Sequence, residues 1–425
     1  MFENIIEQGA VLQLRDNIIN CSLAPSLLFF GPGESGKGSA ALELARVLSC
    51  EEKGAWKCSC LCCERHRYLQ HDDLLILGNR SFSAEIAACH SSFLRNTGAK
   101  LLFYRSLRKL QMRFSPVIME DDNDLRKLVS LLQSFDEKLR EFLSIDAEKH
   151  EKSALEKLCS SLVNDSLTLI KEGKLSGTIP IDHIRSASKW CNLAPTGKRK
   201  TFIIENAENM REESANSLLK LLEEPPASVN IVLTAQRREK ILATILSRLR
   251  PYRFLKRSIE SEKEVIRRIF LDTADKSLSA YLESFMPQSA EKLYPLAAWF
   301  IVSIARLAGA GKICFSKLEE YYAHSAEALK LPRAARSSDV IKVIAEQSEN
   351  FEDGSFSRFM KICLDMIGSF LRTAENPQFI VYCDMFKKYI NEAVMAVDVI
   401  NINKTVALEE FLYNLKKNIK EGKNG

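Results

Sequence analysis

The stretch LLFFGPGESGKGSAALELA, residues 27–45, decides how the first half of this sequence is read. It opens in the apolar run "SLLFF", suited to a strand buried on both faces of a parallel sheet. It continues as Gly31-Pro32-Gly33-Glu34-Ser35-Gly36-Lys37, the G-x-x-x-x-G-K spacing of a phosphate-binding loop. Behind the loop, Ala41, Leu42, Ala45 and Leu48 fall on one stripe of a helix. A loop held between a strand and a helix N-terminus aims backbone N–H groups and the helix dipole at an anion. Lys37 then reaches the outer phosphates.

Two departures from that motif weaken its chemistry. The residue after the lysine is Gly38, where a nucleotide-hydrolysing loop has a Ser or Thr hydroxyl that ligates magnesium. Ser39 is one position on, rotated by about 100° around the helix, and is expected to point elsewhere. Downstream, "KTFIIENAENM" (200–210) reads as a second buried strand ending in Glu205-Asn206. In a working loop of this type that strand end supplies an acidic metal partner and often a second acid that activates water. Here Glu205 fills the first place, and Asn206 cannot act as a base in the second.

Composition sets the frame around these motifs. A chain of 425 residues has room for two or three domains, and 46% apolar content with only 17 Gly and 12 Pro describes an ordered, helix-leaning protein. No run of 18 apolar residues is present, so no membrane span is expected. "MFENIIEQGA" has no basic n-region, and the reading is cytoplasmic. A net charge of +5 permits contact with a polyanion without demanding it. Of the 12 cysteines, Cys50, Cys58, Cys60, Cys62 and Cys63 crowd into one short segment, which in a reducing compartment points to a metal site. The others, Cys21, Cys89, Cys159, Cys191, Cys314, Cys363 and Cys383, are scattered and read as small, mostly buried apolar residues.

The segment "ANSLLKLLEEPPASVNIVLTAQRREKILATILSRLRPYRF" (215–254) resembles the clamp-loader branch of the AAA+ ATPases, the bacterial DNA polymerase III gamma/tau and delta prime subunits. "MFENIIEQGAVLQLRDNI", "HDDLLIL" (71–77) and the tail "NINKTVALEEFLYNLKKNI" (401–419) are similar to the same group. The residues agree on their own terms. Ala215, Leu218, Leu219 and Leu222 form a helical face, Pro225-Pro226 stops that helix, and "VNIVLTA" is a core strand. The resemblance implies a degenerate nucleotide site of Gly31, Gly33, Gly36, Lys37, Gly38, Ser39, Glu205 and Thr234, the last at the family's sensor position, with weak or absent ATP binding. It also implies that Arg248 of "LSRL", with Leu249 in place of the family's Cys, is an arginine finger reaching the nucleotide of an adjacent subunit.

In the cysteine segment the resemblance implies a structural zinc module with four thiolate ligands. Counting back from His71, Cys63 and Cys60 match two ligands and Cys50 takes the first place. Lys57 stands where another is expected, so Cys58 substitutes, with Cys62 as the alternate.

The remainder reads as helix. Residues 1–256 are expected to form the nucleotide-binding-like α/β domain with the zinc module at about 50–63. A helical insertion at about 80–177, outside the family's usual extent, carries stripes at Leu125, Leu128, Leu132, Phe135 and at Leu155, Leu158, Leu162. A helical lid at 257–328 and a helical oligomerisation (collar) domain at 329–425 follow. The lid shows no Gly-x-x-Arg pattern. Leu408, Leu412, Leu415 and Ile419 form one stripe on the last helix, equally suited to a core or a subunit interface.

The expectation is therefore a delta-prime-like subunit without its own ATPase. Its partners would be gamma/tau and delta subunits, the sliding clamp and primer–template DNA. The nearest alternative is a gamma/tau-type motor. A stand-alone P-loop phosphotransferase is more distant, because it has no use for the 215–254 segment.

Overall fold

Four short, largely apolar runs and the edge segment RPYR become strands: β1 (Ser26–Phe30), β2 (Leu74–Gly78), β3 (Lys200–Glu205), β4 (Val229–Ala235) and β5 (Arg250–Arg253). They form one sheet, parallel at every pairing, in the order β2-β3-β4-β1-β5. The computed structural model describes the whole chain except residues 79, 81, 120, 121, 148–150, 174, 176, 177, 286–288, 309–321, 323–330, 332–335, 350–354, 372–376, 399–401 and 422–425. Register sets Leu28 beside Leu233 and Ile76 beside Ile203. Successive side chains of a strand face opposite ways. Leu28, Leu75, Phe202, Ile204 and Leu233 enter one core, while Leu27, Phe29, Ile76, Ile203 and Val232 enter the other. Apolar residues on both faces are what a fully covered parallel sheet requires.

Helices α1 (Gly9–Ile19) and α2 (Lys37–Ser49) cover the second face through Ala10, Leu14, Ala41 and Leu44. A short helix, α3 (Leu61–Arg67), carries part of the cysteine segment. The stretch between β2 and β3 is helical: α4 (Phe82–Arg95), α5 (Lys100–Gln111), α6 (Pro116–Met119), α7 (Asn123–Arg126), α8 (Val129–Ser144), α9 (Lys152–Glu172) and α10 (Ile181–Cys191). Within the expected insertion Leu125, Phe135, Leu155 and Leu162 are buried, and Phe142 meets Phe93 and Phe103 edge-on at 5.3 and 5.4 Å between centroids. These residues share one continuous core with the sheet, so this stretch packs as a layer of the domain. α11 (Glu212–Glu223) stops before Pro225-Pro226, and α12 (Ala243–Leu246) leads into β5.

The chain divides into two compact units, Met1–Met286 and Pro287–Gly425. The division falls inside the stretch 257–328 expected as a lid. The reason is packing. α13 (Ile259–Ile269), capped by Ser258 Oγ accepting from Ser261 N at 3.1 Å, and α14 (Leu278–Glu283) bury Val265, Ile266, Leu278 and Tyr281 in the core of the first unit. Residues 309–321 and 323–328 of that expected lid, Cys314 among them, lie outside the described residues.

The described part of the second unit is helical: α15 (Ser289–Leu307), α16 (Ser337–Glu349), α17 (Ser355–Leu371), α18 (Pro377–Asp398) and α19 (Lys404–Glu421). Its core is built on Trp299, Phe300, Phe359, Phe386 and Phe411. Leu408, Leu412, Leu415 and Ile419 are buried in this core, so the last helix spends its stripe internally. Among the described residues no helix is long and apolar enough to cross a membrane.

Candidate functional site

The phosphate loop joins β1 to α2. Gly31 has φ +145°, and a Cβ there would stand 2.0 Å from the Phe254 carbonyl oxygen, so only glycine fits. Gly36 is left-handed at φ +92° and opens α2 as its N-cap. A Cβ at Gly33 would meet nothing within 4 Å, so that glycine is not sterically required. Lys37 is buried and folded back on its own loop: Nζ donates to Gly31 O at 2.7 Å, to Ser35 Oγ at 3.2 Å and to Pro32 O. Burial draws its pKa down to about 8, against the opposing pull of Glu208 and Glu34. Arg257, just past β5, lies across the loop mouth. It donates to the carbonyls of Glu34 and Ile6, and its Nη2 is 2.7 Å from where a Gly36 Cβ would stand.

The two positions that would share a magnesium ion have other company. A Cβ at Gly38 would stand 2.7 Å from Glu205 Oε1, so the loop's glycine makes room for the acid of β3. Glu205 is buried, and Arg80 Nη1 donates to Oε1 at 3.3 Å while Arg113 Nη2 donates to Oε2. Asn206 is left-handed at φ +50°, a conformation Asn tolerates, and its backbone N donates to Thr234 Oγ1 at 3.2 Å. Ser39 is exposed on the outer side of α2. Gly38 of α2 thus meets Glu205 at the end of β3, Thr234 of β4 holds the next residue, Asn206, and Ser39 stands apart.

Sγ atoms of Cys50, Cys58, Cys60 and Cys63 all lie within 4.8 Å of one another. Zinc with four thiolates at about 2.3 Å spaces its sulfurs by roughly 3.8 Å. The Cys50–Cys58 and Cys50–Cys60 separations are 3.6 and 3.9 Å, so the four thiols fit that ion. Cys62 turns away, its Sγ on Glu51 Oε1 at 3.4 Å. Arg46 of α2, 3% exposed, donates to Cys63 Sγ at 2.9 Å and pairs with Glu43 at 2.7 Å.

Arg248 stands at the surface after α12. Its Nη1 donates to Thr244 O at 2.6 Å, and its Nη2 pairs with Glu223 at the end of α11. The neighbouring Leu249 is buried, so the residue in place of the family's Cys packs into the domain.

Sequence reasoning missed Arg80, Arg113 and Arg257, whose partners are distant in the chain. It also missed Glu43 and Arg46, although an acid and a base three apart on an otherwise apolar helix are a legible sign of a buried pair.

A parallel sheet in this order, with a G-x-x-x-x-G-K loop leading into α2 and a helical second unit, defines an AAA+-type α/β domain followed by an all-α region. The family described as "DNA polymerase III, delta subunit" matches residues 6–121 and 133–258, more than half of the chain. The chain belongs to this family of clamp-loader subunits. The match takes in most of 80–177, a stretch that sequence reasoning sets outside the family's usual extent. The DNA polymerase III subunit delta' of Escherichia coli (strain K12) is 37% identical over 87 residues, 20% of this chain and 26% of that protein. This chain therefore matches about a quarter of that relative's length. A DNA polymerase III gamma subunit-related protein of Thermotoga maritima aligns over 96% of this chain and 99% of its own, at 14% identity and a TM-score of 0.36, too low to bear on the fold.

Proposed function

We propose that this chain is the delta-prime-type subunit of a DNA polymerase III clamp loader. It works with gamma/tau and delta subunits to place the sliding clamp on primed DNA in the cytoplasm, contacting DNA through its backbone. It does not hydrolyse ATP, and its own nucleotide binding is weak or absent. Arg248 is a finger presented to the nucleotide of an adjacent motor subunit, where a guanidinium stabilises charge in the transition state. Cys50, Cys58, Cys60 and Cys63 hold a structural zinc ion.

The observation that carries this reading is Glu205, whose two carboxylate oxygens are taken by Arg80 and Arg113 beside a loop that lacks the magnesium-ligating hydroxyl. The surface position of Arg248, within the segment 215–254 that resembles the clamp-loader subunits, supports the second half. The test is reconstitution with gamma/tau and delta subunits, clamp and primed DNA. The isolated chain is expected to turn over no ATP. Arg248→Ala is expected to lower turnover of the assembly by an order of magnitude or more. Turnover by the isolated chain defeats the first claim, and unchanged assembly turnover in Arg248→Ala defeats the second.

A further inference from the structure

The hold of Arg80 and Arg113 on Glu205, which carries the reading of a non-hydrolysing loop, is part of a larger charge network. Arg113 holds Oε2 and Arg80 holds Oε1, from 92 and 125 residues away in the sequence. Arg80 continues through Nη2 to Glu85 Oε2 at 2.8 Å, and Glu85 also holds Lys109. Arg113 is 3% exposed and Glu205 8% exposed at the side chain, so their charges face each other away from water. The guanidinium of Arg113 also lies 5.4 Å from the centroid of the Phe82 ring, which helps keep it in place. Three cations, Arg80, Arg113 and Lys109, meet two carboxylates, Glu205 and Glu85, so the cluster already carries a net positive charge.

This cluster occupies a particular place. A Cβ at Gly38 would be 2.7 Å from Glu205 Oε1 and 3.9 Å from Arg80 Nη1. The position of the absent hydroxyl and the acid that would share a magnesium ion with it are thus filled by a carboxylate and the guanidinium bound to it. A divalent ion there would have to displace both arginines from Glu205 and would meet their charge.

We propose that Arg80 and Arg113 take the place and the charge of the divalent cation at this loop, making Glu205 a counter-ion that fastens the turn after α5 and the segment between β2 and α4 to β3 rather than a metal ligand. The proposal rests on the reading of the loop as non-hydrolysing and gives it a structural cause. Arg80 and Arg113 are positioning residues in this account, acting through Glu205. Gly38 leaves the network its room: a Ser there would press on Glu205 Oε1, which could move aside only by loosening its hold on Arg80 and Arg113.

The test uses the full chain and Mn2+, alone and with ATP, followed by electron paramagnetic resonance. Wild type is expected to take up no Mn2+ that Glu205→Gln abolishes, and Gly38→Ser is expected to gain none while losing thermal stability. Arg113→Met is expected to lower Tm by about 5 °C or more, because it leaves a buried carboxylate with one partner. Adding Glu205→Gln to Arg113→Met is expected to return part of that loss. Glu205-dependent Mn2+ uptake by wild type overturns the proposal. So does Mn2+ binding by Gly38→Ser at undiminished Tm, or strict additivity of the Arg113 and Glu205 substitutions. If Arg113→Met does not fold, the wild-type and Glu205→Gln uptake comparison decides alone. Stimulation of a motor subunit through Arg248 can survive Mn2+ uptake at Glu205, and its failure leaves this network standing, so the two readings fail separately.

Discussion

Arg46 and Cys63 join the helix of the phosphate loop to the thiol cluster through one hydrogen bond of 2.9 Å from Nη1 to Sγ. The rest of the guanidinium is also committed. Nε and Nη2 grip Glu43 at 2.9 and 2.7 Å, and the remaining N–H groups reach the carbonyls of Ala55 and Gly54 at 3.1 and 3.0 Å. Glu43 in turn accepts from Phe2 N at 3.1 Å, so one buried pair ties the N-terminal segment, α2 and the thiols together.

That arrangement predicts the cost of breaking it. A charged donor on a thiolate stabilises the ligand's ionised form, and outer partners of this kind are commonly worth about 10–100-fold in metal affinity. Arg46→Met is expected to weaken zinc binding by about that factor. It also leaves Glu43 buried without its partner, a loss of about 3–5 kcal/mol in stability. The double variant Arg46→Met/Glu43→Gln separates the two effects: stability returns in part and zinc affinity does not. Competition against a chromophoric chelator measures the affinity, and wild-type affinity in Arg46→Met would remove the role given to this bond.

A second expectation concerns the pair Arg248 and Glu223, whose side chains are 32% and 48% exposed. An exposed pair is worth about 0–1 kcal/mol, so Glu223 is a weak competitor for the arginine and a phosphate can displace it. Glu223→Gln is expected to leave the thermal midpoint unchanged. In the reconstituted assembly it should reduce, by a few-fold, the concentration of this chain that gives half-maximal stimulation of ATP turnover. A rise in that concentration would mean that Glu223 orients the finger instead of competing for it.

Three strands of the sheet and the loop were legible because each is a local event, whereas β2 and the edge strand β5 were not read as strands. "SLLFF", "FII" and "VNIVLTA" carry their burial in their own composition, and the G-x-x-x-x-G-K spacing fixes the turn between strand and helix. The cysteine set was legible down to one choice, which geometry makes. Cys60 caps α3 and Cys63 lies one turn on, while Cys62 projects toward Glu51. What spacing could not carry is anything held by distant partners. Glu205 reads as a metal ligand until the fold brings up Arg80 and Arg113, which are 125 and 92 residues away in the sequence. The expected boundary at 257 differs from the division after Met286 for the same reason: α13 and α14 have an amphipathic pattern that suits any neighbour, and only packing assigns them to the first unit.

Acid stability offers a measurement of the same network. Glu85 is 17% exposed at the side chain and paired with Arg80 and Lys109. Burial alone would raise its pKa, but the two cations outweigh burial and hold it at about 2, below the ordinary carboxylate value of 4.5. A carboxylate with a depressed folded-state pKa contributes stability that is present above its unfolded value and is lost as pH falls toward the folded one. The window is therefore from about pH 4.5 down to about 2. At neutral pH the contribution is on the order of 3 kcal/mol. Glu85→Gln, close in shape and uncharged, is expected to be less stable than wild type at pH 7 by up to that amount. The gap between the two should close as pH falls through the window, because a protonated Glu85 and the neutral amide of the variant present the same absence of charge to Arg80 and Lys109. Urea unfolding of both proteins from neutral pH down through that window follows the gap directly, and a gap that stays constant throughout would show that Arg80 and Lys109 do not hold this carboxylate in its charged form.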